Sequence, residues 1–349
     1  MSSNRFTATL LRASAGGFAG IAVSQTIERL ELGDQIEGGF EAWQAHFRNL
    51  VLELAAAMDD GGHDQFAQRV RWTRDSFLSR GLALDVLRLG LDELRQVLES
   101  SLPANASGEL PAFFDAARDE LENGSPAVEE SSFPVQDEID ELIRRYLDAL
   151  DTGDAAGAVE LVLEEVRSKR LSAIAALDLF LTRVLREVGL RWHAAELSVA
   201  EEHFATQTTE RLLEHILLTI DAADPIDKTV VLTMVAGDAH QVGLRIVASH
   251  FEIAGWKTVC LGANTPSSDL VQMAQKLDAD VVVVGATLNT QRELVEATVR
   301  ALKAENSDRR VIIGGPAFEG MPGRATEVGA DACATSAAEA VELAARLSS

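Results

Sequence analysis

His240 stands in the run Gly237-Asp238-Ala239-His240-Gln241-Val242-Gly243. A neutral imidazole is a good ligand for a transition metal. An aspartate two residues earlier can accept the other ring N–H, fix the tautomer and raise the ligand's basicity. Gly243 would let a bulky planar ligand approach the start of the helix that follows. A second group of interest pairs Trp192-His193 with Glu202-His203, nine residues lying between Trp192 and Glu202. Taken alone, His240 reads as a helix-start histidine, and Trp192 as a partly buried ring at a helix end with solvated polar neighbours.

The elements around these residues give them a setting. From 226 onward short apolar runs alternate with helical stretches: Thr229–Val235, Thr258–Leu261, Val281–Val284, Val311–Ile313 and Ala332–Ala334. Continuous apolar strands separated by helices predict a parallel sheet covered on both faces, here a flavodoxin-like (Rossmann-like) α/β domain over 226–349. The His240 run follows the first strand, where such sheets bind ligands. Residues 135–225 predict a four-helix bundle, with helices at 135–151, 154–168, 171–188 and 197–222, and Asp154 after Gly153 reads as an N-cap. The second group falls at the junction of the last two helices. Residues 1–125 predict an all-α domain. Trp43, Phe47, Leu50 and Leu54, then Leu84, Leu87, Leu91, Leu94 and Leu98, recur at helical spacing. Residues 126–134, rich in Gly, Ser, Pro and acid together with the residues just before them, read as a linker, so the chain is multidomain.

Charge excludes some functions. The 349 residues carry a formal charge of −24, and residues 1–125 hold 11 Arg against 19 Asp plus Glu, a net −8. Nucleic acid binding needs clustered cations, so direct DNA binding is not expected, nor is an anionic membrane surface. Phe6–Leu11 is too short for a signal peptide and no uninterrupted apolar run reaches a membrane's thickness, so a cytoplasmic protein is expected. Cys260 and Cys333 form no disulfide framework and read as buried thiols. His215 and His250 read as solvated or packed, and Trp43 and Trp72 as core residues. His46 and His63 are open to either a packing or a ligand role.

Asp-x-His-x-x-Gly after a first strand resembles the cobalamin-binding domains of methionine synthase, corrinoid methyl carriers and B12-dependent mutases. The resemblance covers 226–349. It implies that His240 replaces the cofactor's own base as lower cobalt ligand and that the displaced tail threads into the sheet domain. Gly314-Gly315 matches the family's glycine pair, which leaves room for that tail. The third-strand motif departs: the family has Ser-x-Leu or Ser-x-Thr, and here Gly285-Ala286-Thr287 keeps Thr287 but lacks the hydroxyl at Gly285.

The Trp192, His193, Glu202, His203 arrangement is similar to adenosylcobalamin photoreceptors of the CarH type. The resemblance implies that Trp192 packs over the adenosyl group, that Glu202 and His203 line the same pocket, and that His193 becomes the upper cobalt ligand after light. A MerR-like DNA-binding domain is missing from 1–125. The output is therefore expected through a protein partner or self-association, as in AerR-type or photocobilin-type proteins. In the photocobilin case a bilin in 1–125 would be a second chromophore, without a cysteine in that segment to hold it. The expected function is a B12-dependent light sensor and regulator rather than an enzyme. The alternative is a corrinoid methyl carrier of a methyltransferase system, which also pairs a four-helix cap with this domain.

Overall fold

The computed structural model describes residues 3–30, 39–60, 62–124, 137–321 and 323–348, so the expected linker at 126–134 lies outside the described residues. The chain divides into two compact units. One is Met1–Ser132 with Leu190–Glu196; the other is Phe133–Gly189 with Leu197–Ser349.

The first unit is helical: α1 (Ser3–Arg29), α2 (Gly39–Asp60), α3 (His63–Ser79), α4 (Leu84–Ser101), the single turn α5 (Ala104–Ser107) and α6 (Leu110–Asn123). On α1, Ala8, Leu11, Ala15, Ala19, Ala22 and Val23 form one stripe at helical spacing and are buried. Small side chains let α2 come close, and Gln44 on α2 donates its amide to the Gly16 carbonyl. Phe47, Leu50 and Leu54 on α2, with Leu87, Leu91, Leu94 and Leu98 on α4, continue the same core. By length and composition Asn4–Arg29 is apolar enough to cross a membrane. The burial of its stripe among α2 and α4 is also what a core helix shows.

The second unit starts with α7 (Glu138–Asp151) and α8 (Ala155–Arg167). Gly153 has φ +77, and the Asp154 side chain accepts from Gly157 N–H, so the expected stop and N-cap are both present. The third cap helix is not uniform. It runs as α9 (Ala173–Ala175), a π-helical stretch Ala176–Leu181, and α10 (Thr182–His193), whose last residues belong to the first unit. α11 (Val199–Leu217) opens on a capping box between Ser198 and Glu201. Tyr146, Phe180, Leu212 and Ile216 fill the core of these helices, and the Tyr146 hydroxyl bonds the Thr209 hydroxyl at 3.1 Å.

The sheet follows: β1 (Thr229–Met234), α12 (Val242–Ile253), β2 (Lys257–Cys260), α13 (Ser267–Lys276), β3 (Val281–Gly285), α14 (Arg292–Glu305), β4 (Arg310–Gly314), α15 (Arg324–Val328), β5 (Ala332–Ala334) and α16 (Ala337–Leu347). All pairings are parallel, in the order β2-β1-β3-β4-β5. This is the flavodoxin-like order, and the switch in strand order lies between β1 and β3. Alternate side chains feed two layers. Val231, Val282, Val284 and Ile313 pack on one face, and Val230, Leu232, Val283 and Ile312 on the other. Burying each such side chain is worth about 1.5–3 kcal/mol. Val282→Asp would forfeit that and bury an unpaired charge in the middle of the sheet.

Candidate functional site

The loop between β1 and α12 opens at the switch point, and its geometry is set by Asp238. This carboxylate is buried at the end of the sheet. One oxygen accepts the His240 backbone N–H at 2.9 Å and lies 2.9 Å from His240 Nδ1; the other accepts Thr287 N–H at 2.7 Å. A single side chain therefore fixes the histidine ring and ties the β1 loop to the β3 loop. Asn264, after β2, clips the same loop from the other side: its side-chain oxygen accepts Gly237 N–H, and its own N–H donates to Asp238 O.

Burial works against the charge of Asp238, but hydrogen bonds from His240 and Thr287 outweigh it and hold the carboxyl below its ordinary range. The same hydrogen bond raises His240; partial burial opposes this, and the charges of Asp238 and Glu202 add to it. With Nδ1–H turned to Asp238, Nε2 carries the free lone pair. The His240 side chain is 64 % exposed, so that nitrogen is presented outward. A Cβ built on Gly243 would meet nothing within 4 Å, so the start of α12 is open there. An oriented, outward imidazole beside an open helix start is a donor that could hold a transition metal.

Beside this loop, within the second unit, lies a cavity of about 470 Å³. Gln207, Glu210 and Glu214 of α11 line it, together with Gln241, Arg245 and Cys260. Gln241 donates to Glu210 at 3.1 Å. Both cysteines are half-buried rather than fully buried, and burial pushes both thiols up.

The glycines expected to make room for a ligand tail have a reason of their own. Gly315 sits at φ +99, and a Cβ there would lie 2.5 Å from the Ala286 carbonyl oxygen. Gly285 is constrained more softly: an added Cβ would lie 2.5 Å from the sulfur of Met234, its register partner on β1, whose flexible side chain would have to shift. The missing hydroxyl in the third-strand motif is thus the counterpart of a large neighbour. Thr287 is held through its backbone by Asp238 and by the buried Gln291, whose side-chain oxygen also accepts Leu288 N–H.

The second constellation falls in two places. Glu202 and His203 lie on α11 in the second unit. Glu202 accepts from the Thr206 hydroxyl, and His203 is largely exposed, its Nε2 3.7 Å from Glu202. Trp192 and His193 lie in the first unit, where α3 holds them. The His193 ring stacks on Trp72, with centroids 3.5 Å apart and planes at 18°. The His193 carbonyl accepts from Ser79 Oγ at 3.2 Å and Arg80 at 3.1 Å, and Arg80 also donates to the Trp192 carbonyl at 3.0 Å. The Arg80 guanidinium lies 5.3 Å from the centre of the Trp192 ring, while Trp192 itself stays 40 % exposed. His193 is 2 % exposed, and its Nε2 has no hydrogen-bond partner among the described residues. Burial, helped by Arg80 and Arg69 and opposed by Asp75, lowers it to about 4, so the ring is neutral near pH 7.

Trp72, Ser79 and Arg80 carry no motif, and nothing in the chain's pattern places Trp72 anywhere but in a core. Of the remaining histidines, His46 packs among Trp43, Phe47 and Phe77, and its buried Nε2 has no hydrogen-bond partner among the described residues. His63 packs edge-on to Phe113. His250 bonds Asp178 of the π-helical stretch at 2.7 Å, and His215 is exposed.

Residues 228–345 match the B12 binding domain family, and residues 142–217 match a second B12 binding domain family. A corrinoid protein of Desulfitobacterium hafniense is 28 % identical over 214 residues, covering 59 % of this chain and 95 % of that protein. The HTH-type transcriptional repressor CarA of Myxococcus xanthus is 33 % identical over 107 residues, covering 31 % of this chain and 35 % of the repressor. The monomethylamine corrinoid protein of Methanosarcina barkeri shares the fold at TM-score 0.50 and 24 % identity, over 59 % of this chain and 98 % of its own. The chain therefore carries a cobalamin-binding module, a helical domain followed by a Rossmann-like domain, and its cofactor is a corrinoid.

Proposed function

We propose that this chain holds a corrinoid through His240 and presents it to partner proteins as a methyl carrier of a methyltransferase system. The observation that carries the binding half is the His240 ring, oriented by a buried carboxylate and offered outward. The carrier half is supported by similarity that runs almost end to end through a corrinoid protein. This reverses the order in which the sequence ranked the two roles. A bound corrinoid supplies a cobalt–carbon bond whose upper group can be exchanged. His240 would hold its cobalt, Asp238 keeps the ring's tautomer, and the β3 loop at Thr287 is locked to the same carboxylate.

A regulatory role, as a light sensor using adenosylcobalamin, is the second reading. What favours it is the grip on Trp192 and His193 by Trp72, Ser79 and Arg80, residues that precede both matched domains. It also accords with a match to CarA. The bilin option for 1–125 gains no support, since His46 and His63 are both taken up in packing against aromatic rings.

One experiment separates the two roles. The full chain is loaded in the dark with methylcobalamin or adenosylcobalamin, and affinity, spectrum and hydrodynamic size are recorded before and after green light. A carrier binds both forms alike and keeps its size in light. Strong preference for the adenosyl form, with a size change on illumination, would put the sensor reading first.

A further inference from the structure

Asp238 orients His240, and the loop after β2 orients Asp238. The carboxylate is committed to His240 and to Thr287 N–H. Its backbone is held separately. Asp238 N–H donates to Val235 O at 3.1 Å within the turn, and the remaining grip comes from Asn264. The Asn264 side-chain oxygen accepts Gly237 N–H at 2.7 Å, and its backbone N–H donates to the Asp238 carbonyl at 3.0 Å. The Gly237–Asp238 pair is thus gripped at both ends by one residue. Asn264 does this from the left-handed region, at φ +54, which asparagine adopts more readily than most non-glycine residues. The clip is rooted in the sheet. Thr265 N–H donates to Met234 O, the hydroxyl oxygens of Thr233 and Thr265 lie 2.7 Å apart, and Val235 and Thr265 form a parallel bridge beyond β1 and β2. The loop it holds has no such footing: Gly237, Ala239 and His240 are all exposed, so hydrogen bonds rather than apolar burial must confine them.

We propose that Asn264 is a positioning residue for the lower cobalt ligand: it holds Gly237–Asp238, and through Asp238 the His240 ring, in the binding orientation before a corrinoid arrives. The inference rests on the corrinoid reading of His240 and extends it to a loop that acts on the ligand only through another residue. Without the clip, the exposed loop samples orientations in which the imidazole is turned away. Apparent affinity then falls by the fraction of the population that stays competent. The loss arises before encounter, so it falls on the association rate. Loss of a direct contact to the bound cofactor would fall on the dissociation rate instead.

The test uses the full chain and hydroxocobalamin in the dark. Wild type, Asn264→Ala, Asn264→Gly and Asn264→Asp are mixed with the cofactor, and the visible spectrum gives association and dissociation rates. Hydrogen exchange of 236–241 and the melting temperature are measured on each variant without cofactor. Asn264→Ala loses the acceptor and should associate roughly three- to tenfold more slowly, with dissociation little changed. Asn264→Gly keeps the left-handed backbone, so it should melt close to wild type yet lose the same association rate. It also decides the matter if Asn264→Ala does not fold. Asn264→Asp keeps an acceptor oxygen and should restore most of the wild-type rate. Exchange of 236–241 should quicken in the alanine and glycine variants and not in the aspartate one. Wild-type association and exchange in both alanine and glycine variants would overturn the proposal. A loss confined to dissociation would overturn it too, as would a loss that merely follows the melting temperature across all three variants. Failure of the corrinoid reading looks different: His240→Ala would bind hydroxocobalamin as well as wild type, while the exchange contrast at 236–241 would persist.

Discussion

His240 and His193, the two histidines whose sequence settings point to cobalt, live in opposite surroundings. His240 projects from a loop at the end of a parallel sheet, 64 % exposed, with one nitrogen committed to Asp238 and the other free. His193 is 2 % exposed, stacked on an indole, with its outer nitrogen bonded to nothing among the described residues. Hydrogen bonding raises the first, and burial lowers the second to about 4. The difference shows how differently one residue type can be held. The first ring is oriented and keeps a nitrogen turned outward. The second is packed away, and exposing it would break contacts that already exist.

The largest expected effect removes the pre-oriented ring. His240→Ala should weaken cobalamin binding more than about 100-fold, beyond what loss of a supporting residue costs. A spectroscopic titration checks this, and an affinity within threefold of wild type would erase the contrast. Asp238→Asn keeps the imidazole but not its anchor. Affinity should fall about 10–100-fold, and the amides of Thr287 and His240 should exchange faster, because both donate to that carboxylate.

A smaller effect extends the contrast to His46, a stored ring far from any proposed cobalt contact in sequence. Burial, with Arg69 adding to it, lowers His46 to about 4, against 6.5 for the free side chain. Between those values the unfolded chain binds more protons, so its stabilising share is complete above pH 6.5 and is lost as pH falls toward 4. Amides of α2 should therefore lose exchange protection between pH 7 and pH 4.5 on a scale set by opening free energy. His46→Phe should flatten that slope; an unchanged slope would show that His46 is not the titrating group. The smallest expected effect is zero: a low-salt anisotropy titration should find no binding of duplex DNA, since residues 1–125 carry a net −8. Tight, salt-dependent binding would reverse the charge argument.

The sheet was legible because strands buried on both faces read as near-continuous apolar runs: β3 has no polar side chain, and β1 departs only at Thr229 and Thr233. The β1 loop was legible because Asp-x-His places carboxylate and ring two residues apart, a distance the local backbone alone can satisfy. What stayed hidden depends on residues far apart in the chain. Nothing near Trp72 or Arg80 announces a partner more than 110 residues away. Nor does the run 171–188, read as one helix, announce the π-helical stretch at Ala176–Leu181, where Asp178 meets His250. The helix expected to reach 222 ends at Leu217, without a glycine or proline to mark the stop. Glu202 and Trp192 share a motif yet fall in different units, since the turn between α10 and α11 is where the division runs.

Met234 and Gly285 face one another across β1 and β3, the sulfur filling the volume that a side chain at 285 would need. The two positions are therefore one inherited choice. A descendant that gains a hydroxyl at 285 must move the thioether of 234 aside, and the flexible methionine is able to swing where a branched neighbour could not. Met234→Ala would open that space in advance, so the two mutations are coupled through a single gap in the sheet.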